Sequence, residues 1–120
     1  MKKLGMGLIT ALLACVTLAY AAPKDHTFTG EIMDSMCAKN GSHDAMMKKA
    51  NLATAKECTE ACVKMGGKYV LYNKTTKRTY QLDDQTKPVD YAGQDVKVMG
   101  SYDQATHTIH VSNIEAASGM

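Results

Sequence analysis

The sequence predicts a mainly β domain with a helical insertion: a small five-stranded barrel with two short helices between strands 1 and 2. Three observations lead there. Apolar and polar residues alternate with a period of two near the start of the domain and again through its last half. Between those stretches the pattern changes to helical spacing with recognisable caps. Short clusters of turn-forming residues separate the β segments.

The chain opens with Met1-Lys2-Lys3, an apolar run over 4–18 and Ala19-Tyr20-Ala21. These are the basic, apolar and small-residue regions of a signal peptide. The run is shorter than the roughly twenty residues of a membrane span, and Pro23, Lys24 and Asp25 follow at once. Residues 1–21 are therefore expected to be a removed signal, and 22–120 a single secreted or periplasmic bacterial domain. Leu12-Leu13-Ala14-Cys15 also resembles a lipobox. Lipid on Cys15 would tether the same domain to a membrane, the one membrane association expected.

Strand 1 starts at Thr27, with Phe28, Gly30, Ile32 and Asp34 on one face and Thr29, Glu31 and Met33 on the other. Cys37 follows the strand, and 39–42 reads as a turn. Ser42 can cap a helix over 43–50, with Asn51 closing it. Thr54-Ala55-Lys56-Glu57 is a capping box that opens a second helix, running to Met65 and stopped by Gly66-Gly67. Segments 68–72 and 78–82 form a hairpin about 73–77. Segments 95–101 and 106–114 form another, turning near 103–105, with Val96, Val98, Ile109 and Val111 inward. Between the hairpins, 88–94 is a loop or a single helical turn. A five-stranded OB-like barrel fits that count. The stretch 91–100, a small-residue turn followed by Val96-Lys97-Val98-Met99-Gly100, resembles the fourth strand of many bacterial OB-like domains.

Removing 1–21 takes Lys2 and Lys3 away, so the 14 basic residues fall to 12 against 12 acidic ones. A formally neutral domain has no basic stripe to neutralise phosphates, which argues against nucleic acid. The remaining 99 residues hold no Trp and one Phe. The core must rest on Val, Ile, Leu, Met and Tyr, and small exported domains of this kind often need a staple.

The staple is sought among Cys37, Cys58 and Cys62, an odd number once Cys15 is removed. With His43 they read C-x5-H-x14-C-x3-C. Cys58, Cys62 and Met65 fall on one face of the second helix. Three readings stand side by side. Cys37, His43, Cys58 and Cys62 form a Cys₃His metal set suited to structural zinc, or to copper, with Met33, Met36, Met46, Met47 and Met65 within or beside the segment as soft donors. Alternatively, Cys37 bridges one helix cysteine as a structural disulfide and leaves a buried thiol. In the third, Cys58 and Cys62 are a redox-active dithiol with Cys37 as partner. The methionines also have a plain role as core filler. His107 and His110 lie three apart on a predicted strand, face opposite sides and are poor candidates for a shared site, and His26 sits near the new N-terminus. No serine elbow, H-E-x-x-H, phosphate loop or haem-attachment motif occurs, so no catalytic residue is assigned.

The run Gly30-Glu31-Ile32-Met33-Asp34-Ser35-Met36-Cys37 and the block 57–71, Glu-Cys-Thr-Glu-Ala-Cys-Val-Lys-Met-Gly-Gly-Lys-Tyr-Val-Leu, resemble a family of small secreted bacterial proteins of unknown function. The resemblance spans about 28–114. It implies export, an OB-like β half, and one constellation of Asp34, Ser35, Cys37, His43, Cys58 and Cys62; it implies no activity. The expected function is a non-enzymatic binding or structural domain, with Asp34 and Ser35 orienting the first ligand. A thiol–disulfide redox protein, or a disulfide-stapled module for a peptide or sugar, are the alternatives.

Overall fold

A computed structural model describes residues 14–17 and 24–117. The expected signal segment lies outside the described residues except for 14–17, where Cys15 is exposed. Five strands and three helices follow. β1 (His26–Asp34) leads into α1 (Ser35–Asn40), α2 (Asp44–Ala50) and α3 (Ala55–Lys64). β2 (Tyr69–Asn73), β3 (Arg78–Leu82), a 3-10 turn at Lys87–Tyr91, β4 (Asp95–Asp103) and β5 (Thr108–Ala116) complete the chain. The strands lie where the period-two pattern places them, and the 3-10 turn fills the stretch expected to be a loop or helical turn.

The sheet closes into a ring in the order β1-β2-β3-β5-β4. β1 makes this possible by changing partners along its length. Its first part pairs antiparallel with β4, from His26↔Gly100 to Glu31↔Asp95, and its last part with β2, from Glu31↔Tyr72 to Asp34↔Tyr69. A short parallel contact between β3 and β5 closes the far side. Gly30 sits where β1 passes between partners, and a Cβ there would lie 2.5 Å from the Tyr72 carbonyl oxygen. β4 and β5 shift register between Met99 and Gly100. The shift reverses the inward phase of β5, so Ile109 and Ile114 are buried while Val111, expected inward, is half-buried.

Two cores result. The first fills the ring with Ile32, Leu71, Leu82, Val96, Val98, Ile109 and Ile114. Phe28, Tyr80 and Tyr102 pack one against another beside it, ring centroids 5.2–5.7 Å apart. The second lies outside the ring, between β1–β2 and the helices. It comprises Met33, Cys37, Ala38, Cys58, Cys62, Val70 and Tyr72. That placement explains why β1 ends in four consecutive buried residues, Glu31–Asp34, instead of alternating. One face looks into the ring and the other lies beneath the helical insert.

The insert has three helices where two were expected. The stretch after β1, expected to be a strand end and a turn, is α1. Asp34 has extended backbone (φ −83°, ψ 153°), and its side chain accepts the Cys37 N–H, the geometry of an N-cap. Gly41 at φ 70° ends the helix, so Asn40-Gly41 is a helix stop. Ser42 does not occupy the N-cap of α2, which falls to His43; the Ser42 hydroxyl accepts the Asp44 N–H at 3.1 Å instead. Asn51 closes α2 in the left-handed region as expected. Thr54 caps α3 through the Glu57 N–H (3.1 Å), and Glu57 reaches back to the Ala53 N–H (3.0 Å).

Candidate metal centre

The centre is assembled from four stretches of chain. Asp34 ends β1, Cys37 lies in the first turn of α1, His43 precedes α2, and Cys58 lies on α3. The α3 capping motif sets the helix phase so that Cys58, Thr59 and Cys62 face inward. Cap and ligand are joined at Asp34: one carboxylate oxygen accepts the Cys37 N–H at 2.8 Å, which fixes the other. Ser35, expected beside Asp34 as an orienting group, instead accepts the Lys68 N–H at 3.1 Å and ties the start of β2 to α1.

Donor atoms of Asp34, Cys37, His43 and Cys58, all buried, lie within 4.8 Å of one another. Of the four expected ligands, Cys37, His43 and Cys58 are therefore brought together, and Asp34 joins them. Cys62 is fully buried one turn along α3 but is not among these four. Met65 leaves the set: it lies at the C-terminal end of α3 and is 65% exposed. His107 bonds to the Tyr102 hydroxyl (3.0 Å) and His110 to Asp83 (3.1 Å), both outside the cluster.

Two distances carry the chemical reading. The Cys37 and Cys58 sulfurs are 3.8 Å apart, and all four cysteines are free. That is too far for a disulfide, but a tetrahedron with metal–sulfur bonds of 2.3 Å has edges of about 3.8 Å. Asp34 Oδ1 and His43 Nδ1 are 4.0 Å apart. Oxygen and nitrogen ligands at 2.0–2.1 Å would be about 3.4 Å apart, so a modest contraction would bring this edge to fit. Both atoms are buried without a hydrogen-bond partner. An unsatisfied buried polar atom costs about 1–3 kcal/mol, and a shared cation satisfies both.

The imidazole is prepared for this. His43 Nε2 bonds to Glu31 Oε2, so with Nε2 protonated the Nδ1 lone pair faces Asp34 and the sulfurs. This is the carboxylate–histidine arrangement that orients metal-ligating imidazoles. Lys74 Nζ holds the other Glu31 oxygen at 3.1 Å. Burial acts to raise the Glu31 pKa, but the hydrogen bonds from His43 and Lys74 prevail and hold it below its ordinary value. At Cys37, burial first and the Asp34 carboxylate second push the thiol well up. Burial, then the charges of Asp34 and Cys58, push Cys62 up to about 11. Without a cation these groups repel negative charge; a divalent ion reverses that balance.

Glu31 and Lys74 escape a reading by spacing alone, although Glu31 shares a strand face with Met33, the face that lies under the helices. Comparison with protein-family models, with curated proteins and with solved structures finds no match.

Proposed function

We propose that this is an exported, non-enzymatic small domain whose helical insert is held on an OB-like barrel by a buried metal ion, zinc being the best fit. The observation that carries the reading is the pair of partnerless buried atoms, Asp34 Oδ1 and His43 Nδ1, facing the Cys37 and Cys58 sulfurs. Two sulfurs, one imidazole and one carboxylate suit zinc; the carboxylate disfavours copper(I), which prefers soft donors throughout. Four buried protein donors leave no open position, the pattern of a structural site.

The second core supplies the need. It contains three cysteines, Ala38, Val70, Met33 and Tyr72, and no buried Leu, Ile or Phe. α2 buries no residue of its own. So small an apolar cluster needs a staple, as small scaffolds generally do. The strand order, with its parallel β3–β5 closure, supports the OB-like reading. The signal-like segment and the resemblance to small secreted bacterial proteins support export, with Cys15 as the anchor if lipid is attached there.

Thermal unfolding tests the proposal. A metal chelator is expected to lower the Tm and dithiothreitol to leave it unchanged. A Tm lowered by dithiothreitol and indifferent to chelator would overturn it in favour of a disulfide staple. The 3.8 Å separation of the Cys37 and Cys58 sulfurs favours one second reading, a thiol–disulfide couple. In that reading Cys37 and Cys58 are the pair, with the Cys58–Cys62 dithiol as the other arrangement.

A further inference from the structure

A cavity of about 140 Å³ opens between α1 and α2, lined among others by Met36, Cys37, Ala45 and Met46. Cys37 is 2% exposed, and a small molecule seated in this cavity lies against that residue. At roughly 30 Å³ per water molecule it holds about five waters. Hydrogen peroxide fits within it whole, which a peptide disulfide such as oxidised glutathione does not. Behind Cys37, the Cys58 sulfur waits at 3.8 Å. Both sulfurs come from helices that need only a small approach to bond, since a disulfide requires about 2.05 Å.

From this we infer that Cys37 is a modification site for a small two-electron oxidant of the peroxide class, with Cys58 as its resolving thiol. The inference deepens the metal reading and rests on it, because the bond that forms consumes two of the four ligands. In the first step the Cys37 thiolate attacks one peroxide oxygen. The O–O bond breaks, hydroxide leaves, and Cys37 becomes a sulfenic acid while the peroxide is reduced. In the second, the Cys58 thiolate attacks the Cys37 sulfur, the S–O bond breaks, a second hydroxide leaves and the S–S bond forms. Two thiolates and one hydrogen peroxide thus give one disulfide and two hydroxides. Asp34 and His43 alone then remain to hold the metal, which is released, and α2, with no buried residue of its own, loses its tether. The half-buried side chains of Met36 and Met46 line the same cavity and narrow the approach to Cys37.

The test adds hydrogen peroxide to the purified zinc-loaded chain and follows released zinc with a chromophoric chelator, with peptide mapping of the product. The expected result is stoichiometric release with a Cys37–Cys58 bridge. Ala45 is exposed on α2, and Ala45→Trp, which fills the cavity mouth, is expected to slow release at least fivefold. In Cys58→Ser the reaction is expected to stop at Cys37 sulfenic acid, captured by dimedone. Release at an unchanged rate in Ala45→Trp, a bridge that maps to Cys62, or dimedone on Cys62 overturns the inference and leaves the metal reading standing. A chain that takes up no added zinc and still forms the Cys37–Cys58 bridge overturns the metal reading while the oxidation site stands.

Discussion

Replacing Glu31 by Gln separates an orienting role from a structural one. Gln keeps the shape of the side chain and an oxygen to accept from His43 Nε2, but it removes the negative charge. The side chains of His43 and Glu31 are 8% and 7% exposed, so water does not replace the lost interaction. Loss of a carboxylate behind a ligating imidazole lowers metal affinity by about 10- to 100-fold, which is about 1.4–2.7 kcal/mol. The Lys74 side chain is 64% exposed, and an exposed ion pair is worth about 0–1 kcal/mol. Lys74→Met is therefore expected to change affinity by less than about fivefold. Competition for zinc with a chromophoric chelator reads both variants, and circular dichroism checks the fold. The Glu31 pKa lies below its reference value of 4.5, so its stabilisation of the native state is complete above that pH. It is lost as the pH falls through the lower folded value, and Glu31→Gln should flatten this acid limb. Zinc affinity within twofold of wild type in a folded Glu31→Gln protein would refute the claim that Glu31 orients His43.

Further outcomes follow from the same geometry. Cys62→Ala should keep one zinc per chain, with affinity within about threefold, and cost about 1 kcal/mol of stability as a small buried truncation; metal analysis and chemical unfolding read the two effects. Loss of zinc in that variant would make Cys62 the ligand in place of Asp34. Zinc binding at neutral pH should release at least one proton, since burial and Asp34 push the Cys37 thiol up until a cation binds; calorimetry in buffers of different ionisation enthalpy gives the number. Gly100→Ala puts a Cβ 2.1 Å from the His110 carbonyl oxygen across the β4–β5 register shift. Backbone overpacking of that kind should cost about 3 kcal/mol and lower the Tm by more than about 10 °C.

Much of this arrangement is legible in the residues because local rules agree with the tertiary ones. Val96-Lys97-Val98 and Tyr80-Gln81-Leu82 alternate because one face meets the ring interior and the other does not. The α3 cap and the i, i+4 spacing of Cys58 and Cys62 place both on the buried face. The pattern fails where a second layer covers a strand. Glu31 and Met33 look outward by period, and they are buried because the helices lie over that face. α1 is hidden for a different reason. Asn40-Gly41 suits a hairpin turn as well as a helix stop, and the deciding feature, Asp34 as N-cap, also reads as the last residue of β1. His43 and Glu31 are twelve residues apart, and no spacing rule links a strand carboxylate to a loop imidazole. Asp34 is expected only to orient a ligand; its unpartnered oxygen 4.0 Å from His43 Nδ1 places it among the residues that could hold an ion.

The most direct test of a metal-held insert is X-ray absorption at the zinc edge on the purified chain, with metal content measured on the same sample. The account predicts one zinc per chain, two sulfur ligands near 2.3 Å and two nitrogen or oxygen ligands near 2.0–2.1 Å. A folded chain with no bound metal, or zinc in an all-oxygen and nitrogen shell without sulfur, would contradict it.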